Sequence, residues 1–187
     1  MSETKEQKVS TPQTGYQSHN VLKIDRTFKI AILGDSGVGK STFIKRLETG
    51  HFEQTDIAPT VTTLTFTTNV GVINLDVHES PPKCEGFDGA LIMFDVTKIS
   101  SYDGLGKLYK QIEEKVPTIV CGNKIDSASR QVLPKHILFP KQHNLPYINI
   151  SAKSCYNFDK PFLKLIELIV GDEVVFVKSQ AEDEDAY

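Results

Sequence analysis

The chain lacks any apolar run long enough to cross a bilayer. It also lacks a surplus of positive charge. Lys and Arg number 21 against 24 Asp and Glu, a net charge of −3, so nothing general points to nucleic acid. Cysteine is scarce: Cys84, Cys121 and Cys155 give neither a metal-ligand spacing nor a disulfide framework, which suits a reducing compartment. His51, His78, His136 and His143 stand far apart in sequence and show no metal spacing, so no catalytic histidine is expected. The opening MSETKEQKVS does not have the form of a signal peptide. The ending EDEDAY has no Cys and so no prenylation box. No membrane anchor is expected.

What is present reads as one domain of ordinary composition, 187 residues with 39% hydrophobic and 24% charged. Residues 1–25 are too polar to offset the entropy of ordering and are expected to form a disordered arm. Residues 26–177 carry the domain, and 178–187 an acidic flexible tail. Phe28–Leu33 reads as a strand and Lys40–Glu48 as a helix closed by Gly50. His51–Thr60 reads as a loop, with Pro59 holding Ala58 extended. Val61–Thr68 and Val72–His78 form a hairpin about Asn69-Val70-Gly71. ESPPKCEGFD, 79–88, is irregular, because two prolines and a glycine forbid a regular helix. Ala90–Val96 is continuously apolar apart from one aspartate, as in a strand buried on both faces.

A helix weakened by Gly104 and Gly106 is predicted over Ser101–Lys115. Strands follow at Thr118–Cys121 and Tyr147–Ile150, with a weak helix and loop over Ser127–Asn144 between them and a helix at Phe158–Val170 after them. Alternation of this kind implies an α/β fold: a mostly parallel central sheet, helices on both faces, and ligand at the carboxyl ends of the strands.

The chemistry centres on GDSGVGKST, Gly34–Thr42, which has the form G-x-x-x-x-G-K-[ST] between a strand and a helix. Asp35, Ser36, Gly37, Val38 and Gly39 make a loop whose backbone N–H groups can cradle phosphate. Lys40 supplies an ammonium for the β- and γ-phosphates. The Ser41 hydroxyl, followed by Thr42, is placed for Mg²⁺. The helix starting at Lys40 aims its positive end at the same phosphates.

The base is chosen elsewhere. Asn123-Lys124-Ile125-Asp126 follows a strand. An ionised Asp126 accepts only, so it suits the N1–H and N2–H of guanine, and adenine offers no such pair. Asn123 can bridge base and loop, and the Lys124 stem can lie over the ring. After the next strand comes Ser151-Ala152-Lys153, where the Ala152 N–H can face guanine O6.

In this order GDSGVGKST, NKID and SAK resemble the Ras-like small GTPases. FDVT at Phe94–Thr97, CGNKID at Cys121–Asp126 and ISAKSCYNFDKPFLKL at Ile150–Leu165 resemble the Ran subfamily in particular, and the likeness spans Arg26–Phe176. The acidic, Cys-free ending is also similar to Ran. The resemblance implies the small-GTPase P-loop fold and GTP/GDP with Mg²⁺ as ligands. It implies Phe52 edge-on to the base, Lys40 on phosphate, and Ser41 with Thr60 on the metal. Thr60 lies in IAPT, which resembles the family's first switch loop. Partners implied are karyopherin-type transport receptors and an exchange factor, with no nucleic acid and a monomeric state. The implied setting is nucleocytoplasmic transport, in nucleus and cytoplasm.

One element departs from the family. Where its second switch reads D-x-x-G and then Gln, this chain reads Glu79-Ser80-Pro81-Pro82-Lys83. Proline has no N–H to meet a γ-phosphate, and Lys83 cannot accept a proton from water. Glu79 can reach the metal shell through water in place of the aspartate. The expectation is nucleotide binding with slow or absent hydrolysis and no assigned catalytic residue. Loss of one γ-phosphate contact also weakens discrimination of GTP from GDP. The alternatives are a pseudo-GTPase acting as a nucleotide-stabilised interaction module, a degenerate copy or gene model with a lost exon, and, against NKID, an ATP-dependent enzyme. Lys135, Lys141 and His143 fall where Ran has a denser basic patch and are read as a solvated face.

Overall fold

The computed structural model describes residues 26–52, 60–171 and 173–177. The predicted N-terminal arm, residues 53–59 of the predicted loop and the acidic tail lie outside the described residues. Six strands form one sheet in the order β2-β3-β1-β4-β5-β6. They are β1 (Arg26–Leu33), β2 (Val61–Thr68), β3 (Gly71–Glu79), β4 (Gly89–Asp95), β5 (Thr118–Asn123) and β6 (Tyr147–Asn149). Only β2 and β3 pair antiparallel, from Val61 beside His78 to Thr68 beside Gly71. The other neighbours are parallel. This is the α/β architecture with a mostly parallel sheet that the alternation implies.

Burial follows each strand's place. β4 lies in the middle and is buried at every residue, as its apolar run requires. β3 alternates, with Ile73, Leu75 and Val77 inward and Asn74, Asp76 and His78 toward solvent. On one face, Ile30, Ile32, Leu91, Met93 and Ile119 meet helices α1 (Lys40–Thr49) and α5 (Lys160–Val170). Phe43 of α1 stacks on Phe162 of α5 with centroids 5.7 Å apart. Each such side chain, taken fully out of water, contributes about 1.5–3 kcal/mol. Gly50 and Gly171, both left-handed, end these two helices.

The opposite face is covered more thinly. Ala31, Leu33, Ala90, Ile92, Phe94 and Val120 pack with Leu105, Ile112 and Cys84. The helix predicted over Ser101–Lys115 proves to be two short ones, α2 (Ile99–Asp103) and α3 (Leu105–Tyr109). They divide at Gly104, where helical propensity is poorest. The remainder leaves the helix because Ile112 makes a parallel bridge with Cys84. The segment 127–144 yields a single 3₁₀ turn at Pro134–His136 and the four-residue α4 (Phe139–Gln142).

The link from β3 to β4 determines the shape near the site. Parallel strands usually need a dozen or more residues between them. Here residues 80–88 suffice, because β3 ends beside Ile32 while β4 begins beside Ile30. Two strand spacings and a two-residue offset make a gap of about 12 Å. The Ser80 N–H donates to the Ile32 carbonyl at 2.9 Å, and the Asp88 N–H to that of Lys29 at 2.9 Å. Between these anchors Cys84 is buried against the sheet. No helix forms in this link, as the prolines dictate.

Candidate functional site

The glycine loop leaves β1 at Leu33 and enters α1 at Lys40. Gly39 has φ +99°, and a Cβ there would lie 2.5 Å from Asn123 Nδ2. A Cβ on Gly34 would lie 2.6 Å from the Met93 carbonyl. Only glycine lets the backbone approach so closely at these two points. The Lys40 ammonium reaches back across the loop and donates to the carbonyls of Gly34 at 2.8 Å and Asp35 at 3.1 Å. It is almost fully buried and stands 3.9 Å from Glu79 Oε1. Burial pulls its pKa below the ordinary lysine value, and the charges of Glu79 and Asp35 only partly offset this. The Ser41 hydroxyl donates to Glu79 Oε1 at 2.8 Å.

The base-selecting turns meet this loop through one side chain. Asn123 closes β5 and is 2% exposed. Its Nδ2 donates to the Val38 carbonyl at 2.9 Å, and its Oδ1 accepts the Ala152 N–H at 3.1 Å. Asn123 therefore joins the phosphate loop, NKID and SAK. Lys124, with φ +65°, donates to the Gly37 carbonyl at 2.7 Å and lies 2.8 Å from Asp95 Oδ2. Burial works to raise the Asp95 carboxyl, but hydrogen bonds from Lys124 and Thr97 outweigh it and hold the group below its usual range. The buried Ser151 hydroxyl donates to Asp126 Oδ1 at 2.6 Å and accepts the Ser154 N–H at 2.9 Å, which orients the carboxylate.

Among these groups opens a cleft of about 440 Å³. Small-molecule sites run from roughly 300 to 1,000 Å³. Of the residues expected from sequence, Ser36, Gly37, Gly39, Lys40, Ser41, Thr42, Phe52, Asn123, Lys124, Asp126, Ala152 and Lys153 line it. Asp35 and Val38 instead give backbone carbonyls that brace Lys40 and Asn123, and Ser151 stands behind Asp126. Thr60 does not line the cleft. It is exposed, and its carbonyl accepts the Glu79 N–H at 3.1 Å.

The motifs do not mark Ser127, which lines the cleft, or Asp95, which braces Lys124 from behind it, and they mark Glu79 only as a substitute for aspartate. Ser127 directly follows NKID. Asp95 carried its own signal, a carboxylate inside an apolar strand, where a charge must find a partner.

The donor set fits a nucleotide with a divalent cation. Backbone amides at a glycine loop and a helix start suit phosphate. Ser41 Oγ and Glu79 Oε1 are adjacent hard oxygens, the kind Mg²⁺ takes alongside phosphate. The model of the Ras family matches residues 29–171, more than half of the chain. The chain belongs to the Ras family. As a Ras-family protein it is a GTP-binding small GTPase, and proteins of this family bind guanine nucleotide, generally with Mg²⁺.

The segment after β3, whose residues depart from the family's motif, is held in a defined conformation. Ser80 takes a positive φ of 48°, and Pro81 and Pro82 offer no N–H. Cys84 is bridged to Ile112, and the Gly86 N–H donates to Glu113 Oε1 at 3.1 Å. This part of the Ras-family domain is fastened to its own sheet and to the chain after α3.

Proposed function

We propose that this protein is a Ran-like guanine-nucleotide switch of nucleocytoplasmic transport in which hydrolysis is slow or absent. The observation that carries the nucleotide reading is the convergence on Asn123, where the loop for phosphate and both turns for a base are held by one buried amide. Asp126 takes the N1–H and N2–H of guanine. Ala152 N–H faces O6, and the Lys124 stem and Phe52 flank the ring. Ser151 holds Asp126 in place, and Lys153 lies at the cleft wall. Lys40 and the amides of Asp35, Ser36, Gly37, Val38 and Gly39 receive the phosphates, with Thr42 beside them. Ser41, with Glu79 close by, holds Mg²⁺, and Thr60 joins it from the first switch loop. Bound there, Mg²⁺ supplies neutralisation of phosphate charge.

The low turnover follows from the residues after Glu79. Pro82 stands where the family's glycine would give an N–H, and Lys83 where its glutamine would orient water. The likeness of FDVT, CGNKID and ISAKSCYNFDKPFLKL to Ran supports the transport role. With it come karyopherin-type receptors and an exchange factor as partners, a monomeric state, and distribution between nucleus and cytoplasm. A second reading is a pseudo-GTPase serving as a nucleotide-stabilised interaction module. The fastening of residues 80–88 through Cys84 and Glu113 favours it, because a tied segment responds little to a γ-phosphate.

Titration with fluorescent GDP and ADP in the presence of magnesium, followed by single-turnover GTP hydrolysis, tests both readings. A clear preference for GDP with little turnover is expected. Equal affinity for ADP would end the guanine reading. Hydrolysis at the rate of an activator-stimulated small GTPase would end the argument from Pro82 and Lys83. Capture of a karyopherin-type receptor by the GTP-loaded protein separates the transport switch from the bare module.

A further inference from the structure

Asp95 is the last residue of β4, and its side chain is completely buried. Its Oδ1 accepts the N–H of Thr97 at 2.8 Å and the hydroxyl of Thr97 at 2.7 Å. Those two bonds fix the carboxylate plane and so the direction of Oδ2. Among the described residues Oδ2 accepts no well-aligned hydrogen bond, and the Lys124 ammonium stands 2.8 Å from it as an ion pair. The same ammonium donates to the Gly37 carbonyl at 2.7 Å. Thr97, Asp95, Lys124 and Gly37 thus form a line from the end of β4 to the outer turn of the phosphate loop. A lysine on a flexible four-carbon stem holds a fixed position only when something fixes its charge. A backbone carbonyl alone is a weak anchor for it; a buried carboxylate is a strong one.

We infer that Asp95 is a positioning residue for the nucleotide site, holding the Lys124 ammonium on the Gly37 carbonyl and so locking the base-selecting turn to the phosphate loop. Asp95 does not line the cleft. Its effect is on how long a bound purine nucleoside diphosphate stays, acting through Lys124. It does not choose the base, which is the task of Asp126. This inference rests on the guanine-nucleotide reading of the cleft.

The test is the dissociation rate of fluorescent GDP from wild type, Asp95→Asn, Lys124→Met and the double variant, with a urea midpoint for each. Asp95→Asn keeps the acceptor for Thr97 and replaces Oδ2 with a donor facing the ammonium. Dissociation is expected to quicken on the order of 10–100-fold in each single variant. The double variant should release GDP no faster than Lys124→Met, within about twofold, because both changes break one line. In Asp95→Asn the preference for GDP over ADP should stay as in wild type. Multiplying rates in the double variant, or dissociation from Asp95→Asn within about twofold of wild type, would overturn the inference. So would a shift in urea midpoint without a change in rate, since that is the mark of a structural pair only.

Should Asp95→Asn fail to fold, Thr97→Val removes one bond to Oδ1 and leaves the ion pair intact. A smaller acceleration of the same sign is then expected, and an unchanged rate overturns the inference. Failure of wild type to bind GDP would remove the underlying reading and this inference together. Tight wild-type binding with an indifferent Asp95→Asn removes this inference alone.

Discussion

Replacing Asn123 with alanine removes both bonds that unite the three turns. The Val38 carbonyl and the Ala152 N–H lose their partners, with distances of 2.9 and 3.1 Å in the native chain. Asn123 is 2% exposed, so water does not reach these groups without rearrangement. Each buried group left unsatisfied costs about 1–3 kcal/mol, giving about 2–6 kcal/mol for the pair. For a chain of this length each kcal/mol lowers the melting temperature by about 2–4 °C. The expected fall is therefore about 4–24 °C, read by differential scanning calorimetry on nucleotide-free protein. Measuring without nucleotide matters, because a bound ligand would add its own stabilisation. Asn123→Asp is expected to be at least as costly, since an oxygen then faces the Val38 carbonyl. A melting temperature within about 2 °C of wild type for the alanine variant would refute the claim that this side chain organises the site.

Asp126→Ala should abolish the preference for GDP over ADP while leaving thermal stability within about 1 kcal/mol, because Asp126 is exposed and keeps one side-chain bond, from Ser151. Paired titrations check this. Asp95 is held below its ordinary carboxyl value of 3.8, so the stability it contributes is present above that pH. It is lost as pH falls through the folded value, and the urea midpoint of wild type should drop more steeply below about pH 4 than that of Asp95→Asn. Cys84 and Cys121 are buried, and burial raises both thiols, whereas Cys155 is half-exposed and accepts two N–H groups of Arg46. A thiol reagent on native protein should modify Cys155 quickly and the other two only on unfolding.

Much of this was legible in the chain because particular residues admit few alternatives. The loop Gly34–Gly39 needs glycine where a Cβ would meet Met93 or Asn123, so the motif reports geometry directly. The alternation in β2 and β3 and the largely apolar run of β4 report the number of covered faces. The region after Ser101 was less legible. Local propensity allowed a helix to Lys115, but Ile112 is drawn into a bridge with Cys84, a partner distant in sequence. Strand β5 also runs two residues past Cys121, into Gly122 and Asn123. The turn motif therefore begins inside the sheet, which is why Asn123 is rigid. The Thr60 carbonyl on the Glu79 N–H is a backbone contact, which no side-chain pattern encodes.

The nine-residue link between β3 and β4 has a practical corollary for engineering. Closing a longer loop is cheap, about 0.6 kcal/mol for each doubling of length. Overall stability therefore does not forbid a helical graft between Lys83 and Glu85. What such a graft must displace is the Cys84 plug, a single small side chain. The domain thus offers itself as a host into which a responsive segment from another protein could be spliced, turning a fixed scaffold into a reporter.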